Sequence, residues 1–370
     1  MVLTILADDL TGACDTGTLF AAKAPVPVTV WPDLPRDAGV RVVDTESRTL
    51  QAAAARERIR GSVGAGGRPF AGGPCFKKID STLRGRIGAE LDELMTLLGA
   101  TSAVLCPAFP SQGRIVRDRL LLVDGAPVIE TALARDPEFP ATAAGPSSNV
   151  VDLLRAQLDR PIAWIPIDHV RSGTAALTGR LSRLTGTVAV ADAETDADLD
   201  ALVDAALTAE PAPLLAGAAG LARALARRLG LLAERVSLPR GSRWLVVAGS
   251  RHPVSRQQAK HARRAGLTVL TSPDDDESDR DAVAVRLADD ARAMLDRERF
   301  DVVVVTGGET AVALYRALAA EAIDLLGAPA PGLAFGHVRG PHHDGLPLVT
   351  KAGGFGSPDL FVRLAREAAA

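Results

Sequence analysis

The feature that most constrains the fold is a repeated alternation of short apolar runs with amphipathic segments. Apolar runs of strand length occupy 2–7, 40–43, 103–106, 163–167, 187–190, 214–216, 244–248 and 302–305. Helical patterns lie between them at 52–60, 88–98, 198–209, 219–232, 280–296 and 310–320. Strands that alternate with helices form parallel sheets with helices on their faces. The sequence therefore predicts an α/β fold with largely parallel sheets covered by helices.

Length and local composition predict two domains. A chain of 370 residues exceeds the usual size of one domain. The segment 233–243 contains Pro239 and Gly241 and follows neither a helical nor a strand period, which is typical of a linker. We therefore predict one domain at 1–238 and a second at 239–370. Two further segments, 61–73 and 274–279, are predicted as solvent loops from their glycine and acidic content.

Charge and cysteine content narrow the class of protein. A net charge of -3 lacks the basic surplus with which proteins bind nucleic acid. The three cysteines are widely spaced and form no Cys-x-x-Cys pair, which fits a reducing compartment. The start of the chain lacks a signal-peptide pattern, and no apolar run approaches the roughly 20 residues that span a bilayer. We expect a soluble cytoplasmic protein that binds neither nucleic acid nor membranes.

Two adjacent carboxylates follow the first apolar run directly. Asp8 and Asp9 end the run and precede a turn that contains Gly12. Ligands of open α/β sheets lie beyond the carboxyl ends of the strands, so acids at this position favour chemistry over packing. The alternative is that Asp9 or Thr11 only caps the following helix.

A second polar cluster lies at 77–85. Its Arg84 can hold a carboxylate with two parallel hydrogen bonds, and Asp80 and Ser81 can reach hydroxyl groups. This set of side chains suits a small hydroxy acid. Capping of the next helix by Asp80 or Ser81 is the structural alternative. A third polar loop, 107–114, follows the apolar run that ends at Cys106.

Three glycine-rich turns follow strand-like runs in the second domain. They are Gly249 with Ser250, the turn 306–310, and the turn 351–356. Glycine lets backbone amides approach an anion, and the positive end of a following helix favours it, so the three turns together predict a nucleotide phosphate site. Neither the P-loop pattern nor the dinucleotide fingerprint occurs.

Lysine is scarce in this chain. Of 42 basic residues only five are lysines, and three of them, Lys77, Lys78 and Lys351, fall inside the motif-like segments. A compact ammonium in contact with a phosphate or carboxylate is chemically reasonable at these positions.

Six motifs together resemble the four-carbon acid sugar kinase family. In chain order they are ILADDLTGACDTG, KKIDSTLRG, PAFPSQGR, GSRHPVSR, TGGET and DGLPLVTKAGGFG. Members are ATP-dependent kinases of small sugar acids such as threonate, erythronate and 3-oxo-tetronate. The resemblance implies that 1–238 is the sugar-acid-binding domain and 239–370 the nucleotide-binding domain. It also implies an active site in the cleft between the domains, with ATP and Mg²⁺ as cofactors.

By position, the resemblance implies two sets of site residues. The sugar acid is expected to contact Asp8, Asp9, Asp80, Ser81 and Arg84, with Asp9 or Asp80 as the catalytic base and Arg84 on the acid's carboxylate. ATP is expected to contact Ser250, Gly307, Gly308, Glu309, Thr310, Gly353 and Gly354. The motifs identify no metal ligands.

The chain departs from the family pattern in two places. Arg86 stands where members usually have asparagine, and the stretch between His252 and Val302 is short. Two alternatives to a four-carbon acid kinase stay open, namely a kinase for another small oxo or branched sugar acid and a non-catalytic sugar-acid sensor. A homodimer is the expected assembly, because closed symmetric dimers are common among soluble proteins.

Overall fold

The chain forms two compact units. The computed structural model describes residues 2–34, 38–63, 74–272 and 279–369. The first unit comprises Met1–Gly12 and Val43–Leu232, and the second comprises Ala13–Val42 and Ala233–Ala370. Helix α1 (Leu10–Thr18) and strand β3 (Val40–Asp44) each cross this division. The functional boundaries predicted from the sequence, 1–238 and 239–370, leave 13–42 in the first domain and stay a proposal.

The first unit is built from alternating strands and helices. Its helices are α2 (Ala52–Val63), α3 (Ile87–Leu98), α4 (Val150–Arg155), α5 (Ile167–Val170), α6 (Thr174–Leu181), α7 (Asp196–Thr208) and α8 (Ala219–Arg228). Its main strands are β1 (Leu3–Ala7), β4 (Cys75–Lys78), β5 (Ser102–Cys106), β11 (Ile162–Ile165), β12 (Thr187–Ala191) and β13 (Leu214–Gly217).

The main strands of the first unit form a parallel sheet in the order β11-β12-β5-β13-β4-β1. Strands β1, β5 and β13 are buried along their whole length, as expected for a sheet covered on both faces. The prediction of a largely parallel sheet covered by helices is confirmed for this unit. The structure adds β4, which no apolar run indicated because two of its four residues are lysines.

A small antiparallel extension follows β5. It contains β6 (Arg114–Arg117), β7 (Leu120–Val123) and β8 (Ala126–Pro127), and a separate pair of short strands, β9 (Ala141–Thr142) and β10 (Gly145–Pro146), lies further along. The turn between β7 and β8 is formed by Asp124 and Gly125, in the positive-φ conformations that this dipeptide favours.

The second unit has a mixed sheet. Its strands are β2 (Val26–Val30), β14 (Trp244–Ala248), β15 (Thr268–Thr271), β16 (Val302–Thr306), β17 (Ala322–Gly327), β18 (Leu333–Arg339) and β19 (Pro347–Lys351). Its helices are α9 (Pro253–Arg264), α10 (Arg280–Leu295), α11 (Gly308–Ala317) and α12 (Leu360–Ala369).

The strand order in the second unit is β2-β17-β18-β19-β16-β14-β15. The pairs on the β2 side, up to β18 with β19, are antiparallel, and the pairs from β19 to β15 are parallel. The expectation of a largely parallel sheet is therefore wrong for this unit. Short turns join β17, β18 and β19, and a chain that reverses without a crossover helix pairs antiparallel.

The core of the second unit lies beside its parallel strands. Trp244, Phe335 and Phe361 are buried there among aliphatic side chains. The predicted linker 233–243 contains no helix or strand. Residues 64–73 and 274–278, which make up most of the two predicted solvent loops, lie outside the described residues. Within the described ranges, none of the helices combines the length and apolarity that crossing a membrane requires.

Candidate active site

In the first unit, polar residues gather where parallel strands end. Asp8 and Asp9 follow β1, and Asp80, Ser81 and Arg84 follow its parallel neighbour β4. Parallel strands present their carboxyl ends at the same edge of a sheet. The structure accordingly brings the two predicted clusters together through one further residue, Arg48.

Arg48 is the cation that joins the carboxylates. Its Nε donates to Asp8 Oδ2 at 2.8 Å, and its Nη2 donates to Asp8 Oδ1 at 2.9 Å and to Asp9 Oδ1 at 2.6 Å. Asp80 Oδ1 lies 4.0 Å from the same Nη2. Burial alone would raise the pKa of Asp8, but Arg48 outweighs it and holds that pKa below its usual range. The buried Asp8 carboxylate is therefore held in its ionised form by Arg48.

Arg48 was not predicted from the sequence, although a signal was present. The polar run 44–48 follows the predicted strand 40–43, as Asp8 and Asp9 follow theirs. The run folds back onto the end of β1, because Thr45 N donates to Ala7 O at 2.8 Å and the backbone amides of Ser47 and Arg48 donate to Asp8 O at 3.1 and 3.2 Å. These bonds set the guanidinium over the carboxylates.

Asp9 both caps a helix and presents a free oxygen. Its Oδ1 accepts from Gly12 N at 3.1 Å, which is the capping contact considered for it, and from Arg48. Its side chain is 19% exposed, and nothing in the described part of the chain donates to Oδ2. A methyl group at position 12 would lie 2.5 Å from Asp9 Oδ1 and 2.9 Å from Lys78 Nζ. The Lys78 side chain therefore lies against Gly12, in the same turn as Asp9.

Asp80 is saturated with hydrogen bonds from its own turn. Its carboxylate accepts from Thr82 N at 3.1 Å, from the Thr82 hydroxyl, and from Arg84 Nε and Nη2 at 3.1 and 2.9 Å. Burial would raise the pKa of Asp80, but Arg84 and Arg48 hold it well below its usual range. A carboxylate with so low a pKa is a weak proton acceptor. This geometry favours Asp9 over Asp80 as a base.

The guanidinium of Arg84 already makes several hydrogen bonds within the protein. Besides Asp80, it reaches Asp136 Oδ2 from Nη1 at 3.2 Å. The ion pair with Asp80 raises its pKa further above its usual range. Its side chain is 28% exposed, so its remaining N–H groups stay accessible to a ligand. Contact between Arg84 and the carboxylate of a sugar acid stays a proposal on this geometry.

Ser81 and Arg86 occupy the rest of the turn. Ser81 is half-buried, and across the described residues its hydroxyl makes no hydrogen bond, which leaves it available to a ligand. Arg86 precedes α3 and donates from Nε to Leu50 O at 3.0 Å. The residue that departs from the family pattern therefore ties the site turn to the segment in front of α2.

Lys77 has a structural role, because its amine is buried in an ion pair with Glu90 of α3. Its Nζ lies 2.8 Å from Glu90 Oε2, and both side chains are at most 1% exposed. Ser47 Oγ donates to the other oxygen of Glu90 at 2.5 Å. Of the two adjacent lysines in the motif, Lys77 anchors α3 to the sheet and Lys78 lies against Gly12.

In the second unit, the three predicted glycine turns come together. They follow β14, β16 and β19, which are parallel neighbours. Gly249 N and Ser250 N both donate to Thr306 O, at 3.1 and 3.0 Å. A methyl group at position 353 would lie 2.6 Å from Ser250 Oγ. The turns therefore line one small space at the carboxyl edge of these strands.

Two of these glycines have no room for a side chain. Gly307, which precedes α11, has φ 107°, a conformation that glycine adopts readily. A methyl group at position 249 would lie 1.9 Å from Thr310 Oγ1. Glu309 is exposed at the start of α11. No side chain caps α11, which leaves its first backbone amides open to an anion, as a phosphate requires. At the start of α9, Val254 N already donates to His252 Nδ1 at 3.2 Å.

Lys351 and Ser255 also belong to this region and were not among the predicted contacts. Lys351 ends β19 in register with Thr306 at the end of β16, and its Nζ lies 3.3 Å from Ser255 Oγ. The scarcity of lysine marked Lys351, but burial of its amine depends on how α9 packs and could not be predicted. The residues present fit a nucleotide phosphate, because they combine close backbone with one buried cation.

Comparison with known proteins identifies both parts of the chain. Residues 3–225 match the family described as a sugar-binding N-terminal domain, and residues 267–361 match the one described as a nucleotide-binding C-terminal domain. The two matches follow the order implied by the motifs.

Three curated relatives align with nearly the whole chain. A D-threonate kinase of Bordetella bronchiseptica is 34% identical over 98% of this chain and 96% of its own. A D-erythronate kinase of Heliobacterium modesticaldum is 28% identical over 96% and 94%. A 3-oxo-tetronate kinase of Cupriavidus necator is 28% identical over 99% and 97%.

Two solved structures share the fold. A Salmonella typhimurium protein superposes with a TM-score of 0.81 over 100% of both chains at 22% identity. A Bordetella bronchiseptica protein, described as a domain-swapped dimer with bound citrate, is 32% identical with a TM-score of 0.51 over 99% of this chain and 98% of its own. Together with the two matched domains and the relatives above, these likenesses show that the chain belongs to the four-carbon acid sugar kinase family.

Proposed function

We propose that the protein is an ATP-dependent kinase that phosphorylates a hydroxyl of a four-carbon sugar acid of the threonate, erythronate or 3-oxo-tetronate type. The observation that carries this proposal is the presence in one chain of two candidate sites. A carboxylate–guanidinium site lies in the matched sugar-binding domain, and two of the three converging glycine turns lie in the matched nucleotide-binding domain. The names of the full-length relatives support this substrate class.

Asp9 is the proposed catalytic base. A kinase of this kind needs a group that accepts the proton of the attacking hydroxyl, within hydrogen-bond reach of it. Asp9 Oδ2 is not engaged by the described residues, whereas Asp80 is saturated. Arg48 fixes the orientation of Asp9 from the side of Oδ1. Asp80 then acts by positioning Arg84 in place of accepting a proton.

Ser81 and Arg84 are proposed to contact the sugar acid directly, and Asp8 and Asp80 to hold Arg48 and Arg84 in place beside it. Ser81 can bond a hydroxyl, and the open N–H groups of Arg84 can bond the carboxylate. The citrate bound to the Bordetella bronchiseptica structure is itself a small hydroxy acid, which supports a ligand of this class. A homodimer is proposed from the dimeric description of the same structure.

Ser250, Gly307 to Thr310, Gly353 and Gly354 are proposed to hold the phosphates of ATP. Magnesium bound with ATP would help to neutralise the negative charge that develops during transfer of the phosphoryl group. Among the described residues, no group of three or more His, Cys, Asp or Glu side chains could hold a metal ion. Since the hydroxyl and the γ-phosphoryl must meet, the proposal keeps the active site in the cleft between the domains.

An ADP-release assay tests this function. Purified protein is incubated with Mg-ATP and each of D- and L-threonate, D- and L-erythronate, the 3-oxo-tetronates and branched acids. We expect acid-dependent ADP release with at least one four-carbon acid and none with the matched variant Asp9→Asn. Turnover only with a branched or other oxo acid would support the first alternative. Acid binding without turnover by the wild-type protein would support the sensor.

A further inference from the structure

Lys351 is a buried amine with no anionic partner among the residues that the structure describes. Its residue is 1% exposed, and Nζ contacts only neutral oxygens, namely Ala352 O at 2.8 Å, Gly353 O at 3.0 Å and Ser255 Oγ at 3.3 Å. No carboxylate in the described ranges lies within ion-pair distance of it. A buried ammonium that lacks a counterion is costly, so the position calls for an anion from outside the chain.

The contacts of this amine connect it to all three glycine turns. Ser255 Oγ donates to Gly353 O at 2.7 Å and lies 3.2 Å from Thr306 Oγ1 at the end of β16. Position 353 in turn packs against Ser250 Oγ of the turn after β14. The amine is therefore part of the same local structure that we propose to hold the nucleotide phosphates.

We propose that Lys351 binds the terminal phosphates of the nucleotide and takes up a proton from solvent when the nucleotide binds. This inference rests on the proposed function, because it assumes that the glycine turns hold a nucleotide. The contact of Lys351 Nζ with Ser255 Oγ is the longest of its three hydrogen bonds, and a phosphate oxygen can take the place of the serine hydroxyl. The charged ammonium then gains the counterion that the protein itself does not provide.

The sign of the pH effect follows from burial. Burial lowers the pKa of Lys351 to about 7, so above that pH the free protein holds mainly the neutral amine. An adjacent polyphosphate favours the charged form and raises the pKa. Binding therefore takes up close to one proton near pH 8, and the affinity for nucleotide falls as the pH rises above 7. At pH 6 the amine is already charged and takes up none.

Other charged groups lie in this region, and their proton uptake must be distinguished from that of the Lys351 amine. His252, at the start of α9, has a pKa lowered by burial and by the charge of the lysine. Arg251 and Arg256 flank it in the sequence. Glu309 lies at the start of α11 and makes no ion pair with the amine. The strand ends β14 and β16 contribute hydroxyl and glycine residues only. His252 is therefore the second titratable group that the test must control.

Calorimetry measures the proton uptake directly. Mg-ATP, Mg-ADP and AMP are titrated at pH 8 and pH 6 in buffers of different ionisation enthalpy, and the dependence of the heat on buffer gives the protons bound. The variants are Lys351→Met and Lys351→Gln. The controls are Lys23→Met, which removes an exposed lysine of the same unit, and His252→Asn, which keeps an oxygen acceptor at the helix cap.

We expect the wild-type protein and both controls to take up about one proton more than Lys351→Met at pH 8, and no more than it at pH 6. Lys351→Met and Lys351→Gln should bind Mg-ATP at least tenfold more weakly while binding AMP as the wild type does. Melting curves confirm folding of each variant.

Three results would overturn this inference and leave the kinase assignment intact. They are that Lys351→Gln binds Mg-ATP as tightly as the wild type, that it loses as much affinity for AMP as for Mg-ATP, or that the wild type takes up no more protons than Lys351→Met at pH 8. Failure of the wild-type protein to bind any nucleotide would overturn the proposed function and this inference with it. Loss of the uptake in His252→Asn would assign the proton to the histidine instead.

Discussion

Replacement of Arg48 by methionine tests whether the carboxylates of the first unit depend on one cation. Methionine keeps most of the volume and removes the charge. It leaves Asp8, whose side chain is 3% exposed, without its two short bonds to the guanidinium. After Arg48, the main groups that lower the pKa of Asp8 are the nearby charges of Lys77 and Lys78.

The expected loss of stability follows from burial. Removing one partner of a buried ion pair costs about 3–5 kcal/mol, because the other charge stays uncompensated. For a unit of this size one kcal/mol shifts the melting temperature by about 2–4 °C, so the first unit should melt roughly 6–20 °C lower near pH 7. The exposed pair of Arg155 with Asp152, at 3.4 Å, offers a matched control, and Arg155→Met should cost about 1 kcal/mol or less.

The loss should depend on pH with a defined sign. In the wild-type protein the lowered pKa of Asp8 stabilises the fold above the pKa of the unfolded chain, and this contribution disappears as the pH falls through the folded value. In Arg48→Met, burial raises that pKa instead, so Asp8 takes up a proton at a higher pH. The difference between variant and wild type is therefore largest at pH 7–8 and smallest near pH 4.

Urea unfolding at pH 4, 5.5 and 7.5, followed by circular dichroism and tryptophan fluorescence, measures these differences. The double variant Arg48→Met with Asp8→Asn should recover much of the stability at pH 7.5, since it removes the unpaired charge as well. A loss that is equal at all three pH values, or no recovery in the double variant, would refute the reasoning.

Three further predictions concern single groups. Gly249→Ala should weaken Mg-ATP binding at least tenfold in calorimetry, because its methyl group would meet Thr310 Oγ1, while Gly179→Ala, whose methyl group meets nothing within 4 Å, should have no effect; wild-type ATP affinity in the first variant would contradict this. Arg84→Ala should weaken binding of the sugar acid about tenfold or more and spare ATP, and equal loss of both would refute the division of labour between the domains. Asp44→Asn should stabilise the protein by about 1–3 kcal/mol at pH 8 and progressively less toward pH 4, because burial raises the pKa of Asp44 well above its usual range and its ionised form opposes folding; denaturant midpoints that do not change with pH would count against it.

The positions of both candidate sites could be predicted because they depend on sheet geometry. Asp9, Asp80 and the three glycine turns all follow apolar or neighbouring strands, and parallel strands place such residues at a common edge. The partners of these residues could not be predicted. Arg48 reaches Asp8 only because 44–48 folds back over the end of β1. Arg84 donates two hydrogen bonds to Asp80, and the position of Arg84 in the motif does not reveal this pairing.

The mixed sheet of the second unit shows a second limit. Strands such as β16, with four consecutive valines, are evident from composition alone. Strands β17 and β18 alternate with glycine and polar residues, and their pairing is decided by tertiary packing. The antiparallel half of the sheet was missed for this reason. Of the four parallel strands, β14 and β16 were predicted and β15 and β19 were not.

The assignment of 13–42 to the second unit has a consequence for synthesis of the protein. Strand β2 leaves the ribosome among the earliest residues, yet its partner β17 is made nearly three hundred residues later, as the pairing of Val28 with Ile323 shows. Contacts between such distant segments form slowly, and an unpaired strand edge is prone to wrong pairing while it waits. A gene cut at residue 238 would separate these partners for good and leave β17 as an exposed edge. The two compact units of this chain are thus not consecutive pieces of its sequence, and a cut between the predicted domains would remove 13–42 from the second unit.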